Sequence, residues 1–338
     1  MSPAAVSVEG DGTRDQELSA VLDELRSAER FLLTTHENPD GDALGSLLGL
    51  HDVLTQLGKD SVMYLAAKEF PLPLEYRFLP IEEVFHEPPA DVVDRTLVFL
   101  DCGNIDRTPD GFLRDPKAHV VNIDHHHDNT RFGDVNLVDT SASSTAEIVH
   151  GIARAIGAEI TPEIASALYV GLVTDTGRFS YENTGPGTHR LAAELIESGV
   201  NVSDTYRRLY ERVPIEKLKL VARALSKIER HEDCGLALTY LADEDYAETG
   251  SSELFSEGII DFVRSLEGAK VAAVVRDRGD SGGPARKVSL RSSDGSVDVS
   301  AIARQHGGGG HQRAAGFSTD LTYEEIVAAL CAELNGKP

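Results

Sequence analysis

Three apolar runs in the N-terminal half of the chain each stop at acidic or imidazole side chains. FLLTTHENPDGD (31–42) ends in His36, Asp40 and Asp42, and TLVFLD (96–101) ends in Asp101. HVVNIDHHH (119–127) ends in Asp124, His125, His126 and His127. A fourth piece, GLVTDTGRF (171–179), follows an apolar helical stretch and supplies Asp175. So many carboxylates around one cleft would repel one another unless cations were bound. Mixed oxygen and imidazole donors suit Mn2+, with Mg2+ or Co2+ as substitutes. Two such ions about 3.5–4 Å apart would activate water and neutralise a phosphoryl group during in-line attack. Asp40 and Asp42 are two residues apart, so each can face a different ion. Asp101, alone at its strand end, is the natural shared ligand. Each piece has a plainer reading. NPDG is an ordinary turn, and an aspartate after a strand is often a helix cap. Their joint occurrence at successive strand ends is what points to a two-metal hydrolase.

The surrounding elements must bring these groups together. The runs at 31–36, 61–66, 96–101 and 119–124 read as strands. They alternate with helical patterns at 43–58, 144–157 and 162–173, and an amphipathic helix over 18–28 precedes them. That alternation predicts a parallel α/β sheet, in which functional groups gather outside the carboxyl ends of the strands. The stretch 71–89 is Pro-rich and reads as loop. Three charged helices over 188–230 carry no chemical motif and read as a connector. Beyond them the texture changes. GLALTYL, AKVAAVVRD and ARKVSLRSS read as strands, DSGGP (280–284) as a hairpin-type turn, VSAIARQH as a helix leading into a glycine loop, and TYEEIVAALCAEL as a capped helix. This is a smaller α+β domain.

Composition narrows the partners. The chain has 338 residues and a formal net charge of −24. Long nucleic acid is bound through many Lys and Arg contacts to phosphate, so this surface argues for a short anionic substrate instead. No 18-residue window is free of charge, so no membrane span is expected. The first residues lack the basic and apolar runs of a secretory signal and read as a disordered tail. The three cysteines, Cys102, Cys234 and Cys331, form no Cys-x-x-Cys pair. Neither a disulfide framework nor a cysteine zinc site is therefore expected, which fits a reducing cytoplasm.

At these residues the sequence resembles the DHH phosphoesterase family. His36, Asn38-Pro39-Asp40, Asp42 and Gly45-Ser46 match its first motif, Leu100-Asp101 the second, Asp124-His125-His126 with Asn129 the third, and Thr174-Asp175-Thr176-Gly177 the fourth. The C-terminal part resembles the associated DHHA1 domain, with its glycine-rich motif at GGGGHQRAAGF (307–317). Together the halves look like the NanoRNase and pAp phosphatase subgroup, which includes enzymes acting on cyclic di-AMP. The resemblance implies a tail at 1–15, a DHH domain at 16–187, a helical connector at 188–230 and a DHHA1 domain at 231–338, with the active site in the cleft between the two domains. It implies that His36 and Asp40 hold one metal, that Asp42, His125 and Asp175 hold the other, and that Asp101 is shared. Asp124 would orient an imidazole, and His126 would contact the phosphate and protonate the leaving oxygen. The assignment between His125 and His126 stays open by a residue, and His127 has no role. Substrates would be nanoRNA, pAp or cyclic and linear di-AMP, and the assembly a homodimer.

The glycine run lacks the GK[ST] of a P-loop and the strand-first context of a dinucleotide fingerprint. Glycine amides can still approach an anion closely, and a guanidinium can grip a terminal phosphate. Gly309, Gly310, His311 and Arg313 are therefore candidate substrate contacts, with Arg291 in SLRSS a further one. For Arg291 and Arg178 a surface salt bridge is the plainer reading. An inorganic pyrophosphatase or exopolyphosphatase is the alternative enzyme. It would call for a lysine-rich pocket where this chain has HQRAAG. A processive exonuclease would want stacking aromatics, yet the chain has no Trp and 6% aromatics. A non-catalytic cyclic-dinucleotide sensor is disfavoured by the complete ligand set.

Overall fold

Strands buried on both faces must be apolar throughout, and the N-terminal runs meet that demand. The computed structural model describes residues 11–108, 110–115, 117–279, 283–293 and 295–336. The chain forms two compact units that divide between Glu211 and Arg212. The first contains α1 (Asp11–Ser27), β1 (Arg30–Thr34), α2 (Gly41–Gln56), β2 (Asp60–Met63), β3 (Thr96–Leu100), β4 (Val120–Asp124) and β5 (Val135–Val138). It continues through α3 (Thr145–Ile156), α4 (Pro162–Asp175), α5 (Pro186–Glu197) and α6 (Val202–Tyr206), which runs into a π-helical turn at Arg207–Glu211.

The strands lie in the order β2-β1-β3-β4-β5, all parallel. Phe31, Leu33, Val98, Leu100, Val121 and Ile123 face the helices. Leu32, Leu97, Phe99 and Val120 face the other way, against Tyr64 and Leu113. The strand order reverses between β1 and β3. A crevice opens at such a point, outside the carboxyl ends of the strands.

Helices α2 and α4 approach at backbone distance. A Cβ on Gly45 would stand 2.4 Å from the Ala167 carbonyl oxygen and 2.9 Å from Gly171 N. One on Gly171 would stand 2.7 Å from Asp42 Oδ1. The helices run antiparallel, since Gly41 faces Thr174 while Gly49 faces Leu168. The end of α4 therefore meets the start of α2, and Asp175 comes to Asp40 and Asp42.

The tail expected over 1–15 overlaps a helix. Residues 1–10 lie outside those described, but Asp11–Asp15 belong to α1. That first stretch has no apolar stripe to betray a helix. Instead, Arg14 pairs with Asp139, and Glu17 accepts from Val138 N at 3.1 Å.

The second unit contains α7 (Ile215–Ser226), β6 (Glu229–His231), β7 (Leu236–Leu241), α8 (Asp243–Thr249), α9 (Ile259–Arg264), β8 (Val271–Asp277) and β9 (Arg286–Ser292). It closes with α10 (Val299–Gln305), β10 (Gly309–His311), β11 (Ala314–Thr319) and α11 (Tyr323–Asn335). Its sheet has the order β10-β11-β9-β8-β7-β6, antiparallel except for the parallel pair β7 and β8. Helices α7 and α9 cover one face, α10 and α11 the other. The helices read as a connector are shared out. Leu191, Leu195 and Leu209 enter the first core, Leu220 and Ala224 the second.

Two expectations change in this unit. The glycine run is not a loop, because Gly309–His311 pairs as an edge strand with Ala314–Gly316. Gly308 and Gly310 are required by that hairpin. A Cβ on either would come within 2.4 Å of a β11 carbonyl oxygen, 2.1 Å for Gly308 and 2.4 Å for Gly310. Contrary to expectation, Cys234 and Cys331 form a disulfide, 97 residues apart with Cα atoms at 5.3 Å. Cys234 precedes β7, and α11 packs across that sheet, a proximity that sequence spacing does not reveal. The turn expected at 280–284 falls largely outside the described residues. Among the described residues no helix is long and apolar enough to cross a membrane.

Gly45→Ala should destabilise the first unit by about 1–3 kcal/mol, since both clashing groups are backbone. Gly151→Ala, mid-helix in α3 with nothing within 4 Å of the added carbon, should stabilise by about 0.5–1 kcal/mol. Urea midpoints of the two variants should shift in opposite directions; a common direction would refute the packing argument.

Candidate metal centre

The crevice at the β1/β3 reversal collects all six expected metal ligands. His36 follows β1 by two residues, and Asp101 follows β3 directly. Asp40 is the N-cap of α2, its Oδ1 accepting from Asp42 N at 3.0 Å and Ala43 N at 3.1 Å. The helix-cap reading of this aspartate is thus correct, and it does not prevent proximity to the cluster. Donor atoms of His36, Asp40 and Asp101 lie within 4.8 Å of one another, as do those of Asp42, His125 and Asp175. Asp101, His125 and His126 form a further such trio.

Both outer imidazoles are turned the same way. His36 Nδ1 lies 2.8 Å from the Glu37 carbonyl and His125 Nδ1 lies 3.4 Å from the Ala142 carbonyl. A proton on each Nδ1 leaves Nε2 as the donor atom facing the carboxylates. His36 Nε2 stands 3.6 Å from Asp101 Oδ2, and His125 Nε2 stands 3.6 Å from Asp101 Oδ1. Asp101 therefore presents one oxygen to each imidazole. His125 Nε2 also sees Asp175 at 3.7 Å and Asp42 at 3.9 Å. This donor set fits divalent cations: oxygen and neutral imidazole in two groups with one shared carboxylate.

His126 is held differently. Its Nδ1 lies 2.6 Å from Asp124 Oδ1, and Asp124 is fully buried. Asn129 Nδ2 donates to the other Asp124 oxygen at 2.5 Å and to Asn122 at 2.8 Å. Asp124 thus orients His126, and a backbone carbonyl orients His125. His127 is exposed.

Several groups that sequence reasoning missed hold the carboxylates. Thr145 N donates to Asp42 Oδ2 at 2.6 Å and Ala146 N to Oδ1 at 2.9 Å, so Asp42 sits on the N-terminus of α3. Thr145 Oγ1 donates to Asp101 Oδ1 at 2.9 Å. Asn183 Nδ2 donates to Asp175 Oδ2 at 3.2 Å and to the Ser143 carbonyl at 2.8 Å. For Thr145 and Ala146 the signal was the helix start Ser-Thr-Ala-Glu, with Ser144 as N-cap accepting from Glu147 N. It reads as a cap and does not reveal what the free amides bind. Asp101 itself has φ +56°, a backbone conformation that aspartate tolerates better than most residues.

The electrostatics show how crowded the site is. Burial, then Asp101 and Asp175, push Asp42 well above the usual carboxylate range despite the α3 amides. Burial, ahead of Asp101 and Asp40, pushes Asp175 up to about 7. Burial alone would lower His125, but Asp175, Asp101 and Asp42 outweigh it and raise the imidazole to about 9. Asp101 is held below its ordinary value: burial opposes this, but His36, His126 and His125 prevail. Protons here do the balancing that divalent cations would do.

The substrate-side candidates lie together in the second unit. β10, β11 and β9 register His311 with Ala314 and Ala314 with Arg291, so these positions share one row of the sheet. Arg313 is in the hairpin turn, its guanidinium against the Gly295 backbone. Nothing contacts the open side of Gly309 within 4 Å.

Known proteins share this arrangement. The model of the DHH family, N-terminal domain, matches residues 30–172, and that of the DHHA1 domain matches residues 240–336. The bifunctional oligoribonuclease and PAP phosphatase NrnA of Thermus thermophilus is 35% identical over 327 residues, covering 94% of this chain and 95% of its own. The cyclic-di-AMP phosphodiesterase GdpP of Geobacillus thermodenitrificans is 27% identical over 94% of this chain, which spans 49% of that protein. An exopolyphosphatase-related protein from Bacteroides fragilis, at 24% identity, superposes with a TM-score of 0.85 over 95% of this chain and 96% of its own. Two domain models in order, and a relative matched nearly end to end, place this chain in the DHH family of phosphoesterases, with a DHH domain followed by a DHHA1 domain.

Proposed function

We propose that this chain is a two-metal phosphoesterase that hydrolyses short oligoribonucleotides, pAp and cyclic or linear di-AMP to nucleoside monophosphates. The observation that carries the reading is the pair of donor trios, one imidazole in each, flanking the single carboxylate of Asp101. The named activities of the Thermus and Geobacillus relatives support the substrate class. His36 and Asp40 would hold one divalent ion, and Asp42, His125 and Asp175 the other, with Asp101 shared; Mn2+ is the ion proposed. Bound there, such ions would supply an activated water and neutralise the phosphoryl charge. Asp124 keeps the His126 ring oriented, and His126 would give a proton to the leaving oxygen. Gly309, Gly310, His311, Arg313 and Arg291 would hold the distal phosphate or nucleotide of the substrate. The acidic surface favours short substrates over long strands.

Hydrolysis by the Mn2+-loaded protein tests the substrate class. pAp and pApA should release AMP, while a long single strand is left nearly intact and pyrophosphate is spared. Cleavage of pyrophosphate alone would keep the metal centre and overturn the account of the second unit.

Asp101→Asn keeps a residue that tolerates positive φ while removing the shared charge. The variant should fold, by circular dichroism, yet lose far more activity than Thr145→Val. Thr145→Val deletes only the hydroxyl that steadies Asp101 and should cost about 10–100-fold in Mn2+ affinity or turnover. Wild-type turnover in Asp101→Asn would exclude the mechanism.

Arg313→Ala should raise KM for pAp by about tenfold or more, with kcat less affected, because a charge-assisted contact to a phosphate far from the reacting bond is lost. An unchanged KM would remove Arg313 from the substrate site.

A further inference from the structure

The second unit holds a donor cluster that phosphoester hydrolysis does not use. β6 ends at His231, and a tight turn through Glu232, Asp233, Cys234 and Gly235 leads into β7. Gly235 has φ +72°. Cys234 N and Gly235 N both donate to the His231 carbonyl, at 3.2 and 2.9 Å. The His-x-x-Cys-Gly segment is thereby folded so that its first and fourth residues adjoin, and Cys234 Sγ lies 3.6 Å from the His231 carbonyl. Cys331 arrives from α11 and is bonded to Cys234. One donor atom each of His231, Asp233 and Cys331 lies within 4.8 Å of the other two. The His231 Nε2 atom is shielded from solvent and makes no hydrogen bond among the described residues; the Glu229 carboxylate is 3.6 Å away.

We propose that, when its cysteines are reduced, this cluster binds one thiophilic divalent cation of the zinc class through His231, Asp233, Cys234 and Cys331. The argument is one of chemistry and placement. Two sulfurs, an imidazole nitrogen and a carboxylate oxygen make four protein donors, each of a type zinc accepts and together the number that closes a tetrahedral site. Three of them, His231, Asp233 and Cys234, come from one turn, His231 and Cys234 at the two-residue spacing such sites use, and the fourth, Cys331, from a helix already bonded to it. A tetrahedral zinc with Zn–S near about 2.3 Å and Zn–N near about 2.0 Å spans a donor group of this size. The ion and the disulfide exclude each other, because a sulfur bonded to sulfur has no thiolate charge to offer. Reduction by a phosphine adds two hydrogens from water to the sulfurs and converts the phosphine to its oxide. Ion binding then releases the two thiol protons. Either cross-link ties the β6–β7 turn to α11. All four donors belong to the second unit.

Cobalt titration of the intact, phosphine-reduced protein under anaerobic conditions tests this. The centre proposed for the first unit would also take Co2+, but its donors are oxygen and nitrogen, so only the thiolate site proposed here produces thiolate-to-cobalt charge-transfer absorption. The expected result is an absorption that saturates at one cobalt, is quenched by Zn2+, persists in Cys102→Ser and is absent from the oxidised protein and from Cys234→Ser/Cys331→Ser. His231→Ala should weaken the cobalt affinity read from this band by at least about tenfold. It also serves as the test if the serine variant does not fold. Reduced protein with both thiols titratable but no charge-transfer band would overturn the proposal. So would a band that survives the serine substitutions, or wild-type affinity in His231→Ala. Turnover of pAp, measured in parallel, reports on the proposed hydrolytic site, to which His231, Asp233, Cys234 and Cys331 contribute no residue.

Discussion

Mutual repulsion among Asp40, Asp42, Asp101 and Asp175 is the constraint that shapes the first unit. Four carboxylates in one crevice are unfavourable at any protein dielectric, and the local structure is arranged to offset them. The start of α3 lends two amides to Asp42. His36 and His125 each turn Nε2 towards a different oxygen of Asp101. What these groups do not balance is left to protons, which is why Asp42 and Asp175 are raised and His125 is charged more readily than a free imidazole. A site in that condition is poised for cations.

The convergence depends on a contact containing no charged group. Gly45 and Gly171 let α2 and α4 touch backbone to backbone, and only at that separation does Asp175 reach Asp42 and His125. Packing of this kind tolerates no added methyl, because helix backbones cannot yield as a side-chain tip can. The catalytic geometry of the first unit therefore rests on residues with no chemistry of their own.

Glycine serves another purpose in the second unit. The run at 307–310 suggests flexibility, yet Gly308 and Gly310 within it are the residues that let an edge strand lie close against β11. The segment that holds Gly309, His311 and Arg313 is thus a paired hairpin beside Arg291. A paired hairpin loses less entropy on binding a ligand than an open loop would.

Several of the donors were legible from sequence because they end or closely follow a short apolar strand, whereas Asp40 and Asp42 start a helix and Asp175 ends one. Strand ends in a parallel sheet are local signals with a shared destination, so His36, Asp101 and Asp124 through His126 could be placed before any fold was known. The parallel sheet itself was legible from the same runs. What escaped was non-local. The roles of Thr145 and Asn183 depend on which helix start faces Asp42 and which turn faces Asp175. The pairing of Cys234 with Cys331 depends on α11 crossing the second sheet, and the helicity of Asp11–Asp15 depends on partners more than a hundred residues away. Residue type and local period determined which groups could do chemistry and on which elements they lie. Tertiary packing alone decided which oxygen meets which nitrogen, because that choice is made by backbones brought together across the chain.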